Sequence, residues 1–262
     1  MVDGQTNNLM FNGEKAAGAV GDVAGSPEVV LRSDFSVDLV TCSATDMDVV
    51  RAARVSTVGS DSLLEEKGKD YCTGLINYMI RNRHGSPFEH NLLTFYVEAP
   101  IFTVRHLMRH RMWSFNEESA RYRQLYPVFY LPDSERALRQ EGKPGEYRYL
   151  AGTSEDHRLV RRQVVPAYRT AWSAYTAMLG AGVSREIART VLPSGIYTSL
   201  YATCNARALM HFLSLRTRSE EAKFPSYPQY EIDRVARQME QAWSARMPIT
   251  HLAFDLHGRV AP

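Results

Sequence analysis

The chain has 262 residues, 44% of them hydrophobic, with 31 basic against 29 acidic side chains and a net charge of +2. That content supplies the core of one large domain, and the near-neutral balance excludes a global field drawing the protein to nucleic acid or an anionic membrane, so any anion must be held by a local cluster. Three widely spaced cysteines, Cys42, Cys72 and Cys204, speak against a disulfide framework or a zinc site, and the lack of a leader pattern or of a run of roughly 18 apolar residues points to the cytoplasm.

Residues 1–33 read as a flexible tail, rich in Gly, Ala and Asn without period as far as about Pro27, ahead of a single domain over 34–262. Val37–Val40 is predicted as a strand, and Asp46–Arg54 as a helix that gives way to a polar loop over Thr57–Asp70. Leu75, Ile76, Met79 and Ile80 recur at helical spacing; Gly85 and Pro87 disfavour continuation, so His84–Pro87 is a turn. Leu93, Phe95 and Val97 alternate with Thr94, Tyr96 and Glu98 as in a half-buried strand. Pro100 opens a helix through about Arg111, at the position where its missing N–H costs little.

Further on, Val164, Tyr168, Ala171, Trp172, Tyr175, Met178 and Leu179 form the stripe of a long amphipathic helix closed by Gly180, its aromatics destined for the core. Ser184 caps a short helix ended by Pro193, Ile196–Cys204 is a strand, and Asn205 caps a helix through about Arg216. A last helix carries Ile232, Val235, Met239 and Trp243. A few strands among longer helices give an α+β domain.

On the helix from Pro100, Arg105 and Arg109 stand four residues apart, as do His106 and His110, and Arg111 adds a third guanidinium. A solvated basic face is the commoner fate of such a run. These residues alternate with Phe102, Leu107, Met108 and Met112, however, which places the guanidiniums at the margin of a core, where planar donors suit phosphate. The following Ser114–Tyr122 packs hydroxyls, an amide, two carboxylates and Arg121 into one polar loop, donors and acceptors that fit a nucleotide. Arg185 and Arg189 share one helix face; Asn205, Arg207, His211 and Arg216 line another whose N-terminus favours anions. The phosphate-loop, dinucleotide and serine-elbow motifs are absent. The nearest metal pattern, His84 with Glu89 and His90, is broken by Pro87, so no metal is expected.

With Arg109-His110-Arg111 followed by Ser119, NEESARY from Asn116, HGSPFEH from His84 and NARALMHFLSLR from Asn205 in that setting, the chain resembles the flavin-dependent thymidylate synthases from about Val37 onward. The resemblance implies a mixed β-sheet wrapped by long helices and a homotetramer with FAD sites between subunits. FAD would contact Ser86, Arg109, His110, Arg111, Glu117, Asn205, Ala206, Arg207 and His211, with His84 near the flavin. The nucleotide would be held by His106, Leu107, Met108, Arg109, Glu117, Glu118, Ser119, Ala120, Arg121 and Arg189. Arg216 would be catalytic, stabilising negative charge that develops on the uracil ring. The implied reaction is reductive methylation of dUMP at C5, with methylenetetrahydrofolate supplying the carbon and NADPH reducing FAD. No cysteine nucleophile is called for, and Ser119 has no evident base, so it reads as a ligand contact.

Two positions depart from the family pattern: Ala120 stands where glycine is common, and His106 where Gln or Glu is common. A methyl group at Ala120 would strain a positive-φ backbone, and His106 can change charge near neutral pH. They open an alternative substrate, UMP, as in a nucleoside-antibiotic branch of the family, whose 2′-hydroxyl would need a partner. A rival of another class is a regulator that binds nucleotide without catalysis.

Overall fold

The computed structural model describes residues 28–63, 67–143 and 147–262. Most of the expected tail lies outside these residues. Val30–Arg32, within it, is strand β1 and pairs in parallel with β5 (Val128–Tyr130). In chain order the other elements are β2 (Ser36–Cys42), α1 (Asp46–Val58), α2 (Lys69–Arg81), β3 (Leu93–Pro100), α3 (Ile101–Leu107), β4 (Ser114–Glu117), the ribbon β6 (Arg139–Glu141) and β7 (Arg148–Leu150), α4 (Ser154–Gly180), α5 (Arg185–Ala188), β8 (Tyr197–Cys204), α6 (Ala206–Arg216), α7 (Tyr230–Ser244) and α8 (Pro248–Leu256).

The α+β architecture agrees with the sequence pattern. The main sheet runs β2-β3-β8-β4 and is antiparallel throughout; parallel pairing is confined to β1–β5. On β3 the side chains of Leu93, Phe95, Val97 and Ala99 are buried and those between them are partly open, the period-2 signature of a one-sided sheet. Against that face pack α6 and α7, whose apolar rows supply Leu209, Phe212, Leu213, Val235, Met239 and Trp243 to one continuous core. A second cluster beneath α4 joins Leu125, Phe129, Trp172, Tyr175, Ala188 and Ile196.

Three boundaries differ from the expectation. The polar stretch after α1 is shorter than Thr57–Asp70, because α1 runs on to Val58, a 3-10 turn follows over Gly59–Leu63, and α2 begins at Lys69. The helix carrying Trp243 is not the last, since Pro248 starts α8, whose cap is made by the Asp46 carboxylate accepting from the N–H groups of Ile249 and Thr250. The helix from Pro100 ends at Leu107 rather than Arg111, and the chain turns through Met108–Trp113. The cause is Trp113: its indole is buried, stacks beside Phe95 and packs on Phe212, and its N–H donates to the Ala208 carbonyl. A straight helix could not deliver that side chain to the core and also return the chain into β4. The segment after it, expected as a loop, is the edge strand β4, paired with β8 over Ser114–Glu117.

Candidate active site

The turn that Trp113 forces sets Arg109, His110 and Arg111 opposite α6. The two segments wall a cleft of about 520 Å³ that also takes in Asn205, Arg207, His211 and Arg216. Its position on α6 follows from local chemistry. Asn205 caps the helix by accepting from the Ala208 N–H at 2.9 Å, and Asn91 accepts from the Ala206 N–H at 2.8 Å, so the first turn is anchored to the chain ahead of β3. Arg207 and His211 then fall one turn apart on the open face, and Arg216 sits in the last turn, where the helix dipole favours a cation.

Electrostatics in this cleft are one-sided. Among the described residues no carboxylate lies in ion-pair range of Arg109, Arg111 or Arg216. Burial, and then the charge of Arg109, pulls the Arg216 pKa down. Arg216 Nε donates to His110 Nε2 at 3.2 Å. His110 is buried edge-on against Phe212 at 4.9 Å, and that burial, reinforced by Arg216, lowers its pKa to about 4. The imidazole is therefore neutral at pH 7 with Nε2 as acceptor, because a guanidinium N–H can only donate. The result is a basic wall, fixed at Arg216, whose positive charge meets no carboxylate among the described residues, which is what an anionic ligand needs.

Arg207 differs. Its Nη1 pairs with Glu89, and its Nε donates to the Pro262 carbonyl at 2.6 Å. The approach is close enough that a Cβ at Gly85 would stand 2.5 Å from Arg207 Nε and 2.7 Å from that carbonyl, so the turn requires glycine. Neither His84 nor Ser86 lines the cleft. His84 is exposed and stacks on Tyr78 with ring centroids 5.7 Å apart, while Ser86 is exposed at the start of the following 3-10 turn.

A second cleft of about 320 Å³ opens across α3, between Arg105, Met108, Glu117, Glu118, Ala120 and Arg189. Here the carboxylates are already engaged: Glu117 accepts from Thr198 Oγ1 at 2.7 Å and Glu118 from the Ser199 N–H at 3.1 Å. Both hydrogen bonds exist because β4 pairs with β8. Ser119 lies beside this cleft, and its hydroxyl accepts from the Arg121 N–H at 3.3 Å, a turn contact that gives it no base. Arg121 pairs with Glu186 at 3.6 Å on the surface.

The expected residues thus divide between two places. Arg109, His110, Arg111, Asn205, Arg207, His211 and Arg216 share the first cleft, while Met108, Glu117, Glu118, Ala120 and Arg189 share the second. Glu117 does not join the other residues expected around FAD. His106 is half-buried on α3, its pKa lowered by burial and by Arg216, with a hydrogen bond donated to Gln229 opposing the shift. Two expected contacts are ruled out as side-chain ligands. Leu107 is fully buried in the core, where α3 packs on the sheet, and Ala206 is fully buried with its N–H already given to Asn91. Ala120 has no positive φ, so its methyl group strains no backbone and simply occupies space in the second cleft. Sequence reasoning missed Trp113, Glu89 and Pro262 as cleft walls; only Gly85, next to a turn, could have hinted at a close approach.

One cluster of potential metal ligands occurs among the described residues, Glu240, His251 and Asp255, and the Arg259 guanidinium already pairs with both of its carboxylates. No helix of the described residues is long and apolar enough to cross a membrane.

Comparison with known proteins bears on the same residues. The family model described as thymidylate synthase complementing protein matches residues 38–249. A flavin-dependent thymidylate synthase from Streptomyces coelicolor is 57% identical over 241 residues, 91% of this chain and 98% of that protein. One from Tropheryma whipplei is 48% identical, with 89% of this chain and 97% of that protein covered. The crystal structure of the UMP/dUMP methylase PolB from Streptomyces cacaoi bound with 5-Br dUMP superposes with a TM-score of 0.86 at 59% identity, covering 89% of this chain and all of that one. The same protein bound with 5-Br UMP gives a TM-score of 0.83 at 58% identity, over 90% of this chain.

Proposed function

Since the chain belongs to the family of thymidylate synthase complementing proteins, the flavin-dependent thymidylate synthases, we propose that it methylates C5 of a uridine 5′-monophosphate, dUMP or UMP, with a flavin as its cofactor. The observation that carries this reading is the set of guanidiniums without a carboxylate partner among the described residues, Arg109, Arg111 and Arg216, around a cleft of ligand size. Such a wall suits the pyrophosphate of FAD, and Asn205, Arg207 and His211 on α6 would complete the hold. Bound flavin supplies the hydride chemistry. NADPH would reduce it, and methylenetetrahydrofolate would supply the carbon.

The chain's own part is binding and charge control. Arg216, oriented by neutral His110, would face negative charge as it develops on the uracil ring, an interaction stronger in the transition state than in the ground state. Because Nε is committed to His110, the terminal nitrogens are the donors left for substrate. Glu117 and Glu118, fixed by β8, would meet the ribose and base edges, and Arg189 the phosphate. Residues for one nucleotide are divided between two clefts of one chain, which supports a homotetramer whose sites combine segments of different subunits. Exposed Met112 and Tyr122, 78% and 79% open, would be covered there.

Both sugars are carried forward. The solved relative is named for both nucleotides, and Ala120 with His106 occupy the region where a 2′-hydroxyl would be read. The testing experiment supplies flavin, NADPH and methylenetetrahydrofolate with equal dUMP and UMP, and identifies methylated products by mass. Product from either nucleotide supports the reading. Nucleotide binding with no product from either, while flavin is bound, favours a regulator; failure to bind flavin sinks the proposal.

A further inference from the structure

Arg216 is held at its guanidinium by His110, but its backbone lies in the last turn of α6, the part of a helix most prone to fraying. That turn is secured from outside. Thr217, the capping residue, is buried; its N–H and its hydroxyl both donate to the Leu213 carbonyl, the hydroxyl at 2.7 Å. The same hydroxyl accepts from Arg259 Nη2 at 2.9 Å. Arg259 is itself buried, with Nη1 on Glu240 at 2.7 Å and on Asp255, and its guanidinium lies 5.0 Å over the Phe254 ring. Glu240 in turn accepts from His251.

The chain is shaped to make this contact. After α8, Gly258 and Arg259 have φ of 78° and 56°, and the Arg259 N–H donates back to the Phe254 carbonyl at 2.8 Å. A left-handed backbone is a costly conformation for a residue with a Cβ, and here it turns the side chain back across α7 and α8 onto the end of α6. A Cβ at Gly258 would meet Lys223 at 2.9 Å, so the turn is also packed from the loop after α6. The cation also balances the partly buried carboxylate of Glu240.

We propose that Arg259 is a positioning residue for the methylation: through Thr217 it locks the last turn of α6 and so keeps Arg216 in register with His110 and the cleft. This rests on the reading of Arg216 as the catalytic arginine. Misplacement of a charged group by a fraction of an ångström costs rate without abolishing binding. The structure of Arg259 therefore reaches the reaction without touching substrate.

The test uses the holoenzyme with Thr217→Val, Thr217→Ser, Arg259→Met and the Thr217→Val/Arg259→Met double variant. Measured are kcat, the nucleotide KM, flavin affinity by fluorescence, thermal stability and the 15N shift of His110 Nε2, which reads the Arg216 hydrogen bond without turnover. Thr217→Val is expected to lower kcat about tenfold while KM and flavin affinity stay within about twofold. It should also move the His110 Nε2 shift toward that of Arg216→Ala, and Thr217→Ser should restore both. Arg259→Met added to Thr217→Val should cost less than about twofold more in kcat, because the two act through one contact. The proposal is overturned if Thr217→Val keeps wild-type kcat and His110 shift, if the two single losses multiply, or if kcat, flavin affinity and stability all fall while KM rises. Should Arg259→Met fail to fold, the Val and Ser pair at 217 still decides. Should the unaltered enzyme make no methylated nucleotide, the functional reading falls, and the His110 shift alone tests the positioning.

Discussion

The two clefts meet the same problem, holding a polar ligand, in opposite ways. In the first, Arg109, Arg111 and Arg216 have no carboxylate partner among the described residues, and Arg216 is oriented by a neutral histidine at the end of α6. In the second, Glu117 and Glu118 have their oxygens engaged by a hydroxyl and a backbone N–H of β8, and Arg121 at its border is paired with Glu186. Guanidiniums gathered without a carboxylate partner repel one another until an anion arrives, so the first cleft gains most from binding charge. The second is a more fixed frame, which on the proposed function would discriminate by shape and by what remains free to bond. The proposed function accordingly assigns charge chemistry to the former and selectivity to the latter.

Substitutions should separate the two. Arg216→Ala carries the largest expected effect, a loss of about 10²- to 10³-fold in kcat with far-ultraviolet dichroism unchanged, since it removes a preorganised charge facing the reacting ring. Loss confined to KM would place Arg216 in ground-state binding instead. Arg109→Ala should weaken flavin binding by about tenfold or more, from the loss of a charge-assisted contact, and fluorescence titration reads it. Glu117→Gln should leave flavin affinity within about twofold while raising nucleotide KM several-fold. If it instead abolishes flavin binding, the division between the clefts is wrong for the assembled protein. Ala120→Gly, which removes a methyl group from the second cleft without touching a strained backbone, should change the UMP to dUMP preference by about two- to tenfold and leave the flavin spectrum alone.

A smaller effect concerns pH. His110 titrates near 4 in the fold against an ordinary 6.5. The unfolded chain therefore takes up a proton first as pH falls, and the stability owed to the neutral imidazole, complete above pH 6.5, is lost progressively between about 6.5 and 4. Chemical denaturation of His110→Asn across that window should show a flatter slope than the parent; equal slopes would assign the pH dependence to other groups.

The sequence made the helices and central strands legible where periodicity was strong: α4, α6, α7, β3 and β8 stand close to where their apolar spacing puts them. It misled at one stretch, which walls the first cleft. Through Met108–Trp113 local propensity continues the helix, but the gain from burying Trp113 ends it, and tertiary packing is invisible to a window of neighbours. The NEES run carries no strand period, because β4 is an edge strand with only Phe115 turned toward the core. The arginine clusters were recognisable from composition alone. Their division between two clefts was not, because it depends on which side of α3 each segment passes. Arg259 escaped for a related reason: its partners Thr217, Glu240 and Asp255 are brought together by the packing of three helices.

The most direct test of the central claim follows the fate of the C5 hydrogen. With bound flavin, NADPH and methylenetetrahydrofolate, dUMP and UMP deuterated at C5 are incubated with the protein and with Arg216→Ala, and the nucleotides are weighed. The account predicts that the parent protein replaces the C5 deuterium by a methyl group on at least one of them and that Arg216→Ala largely fails to do so. Nucleotide recovered with its C5 deuterium and its original mass from flavin-loaded parent protein would contradict it.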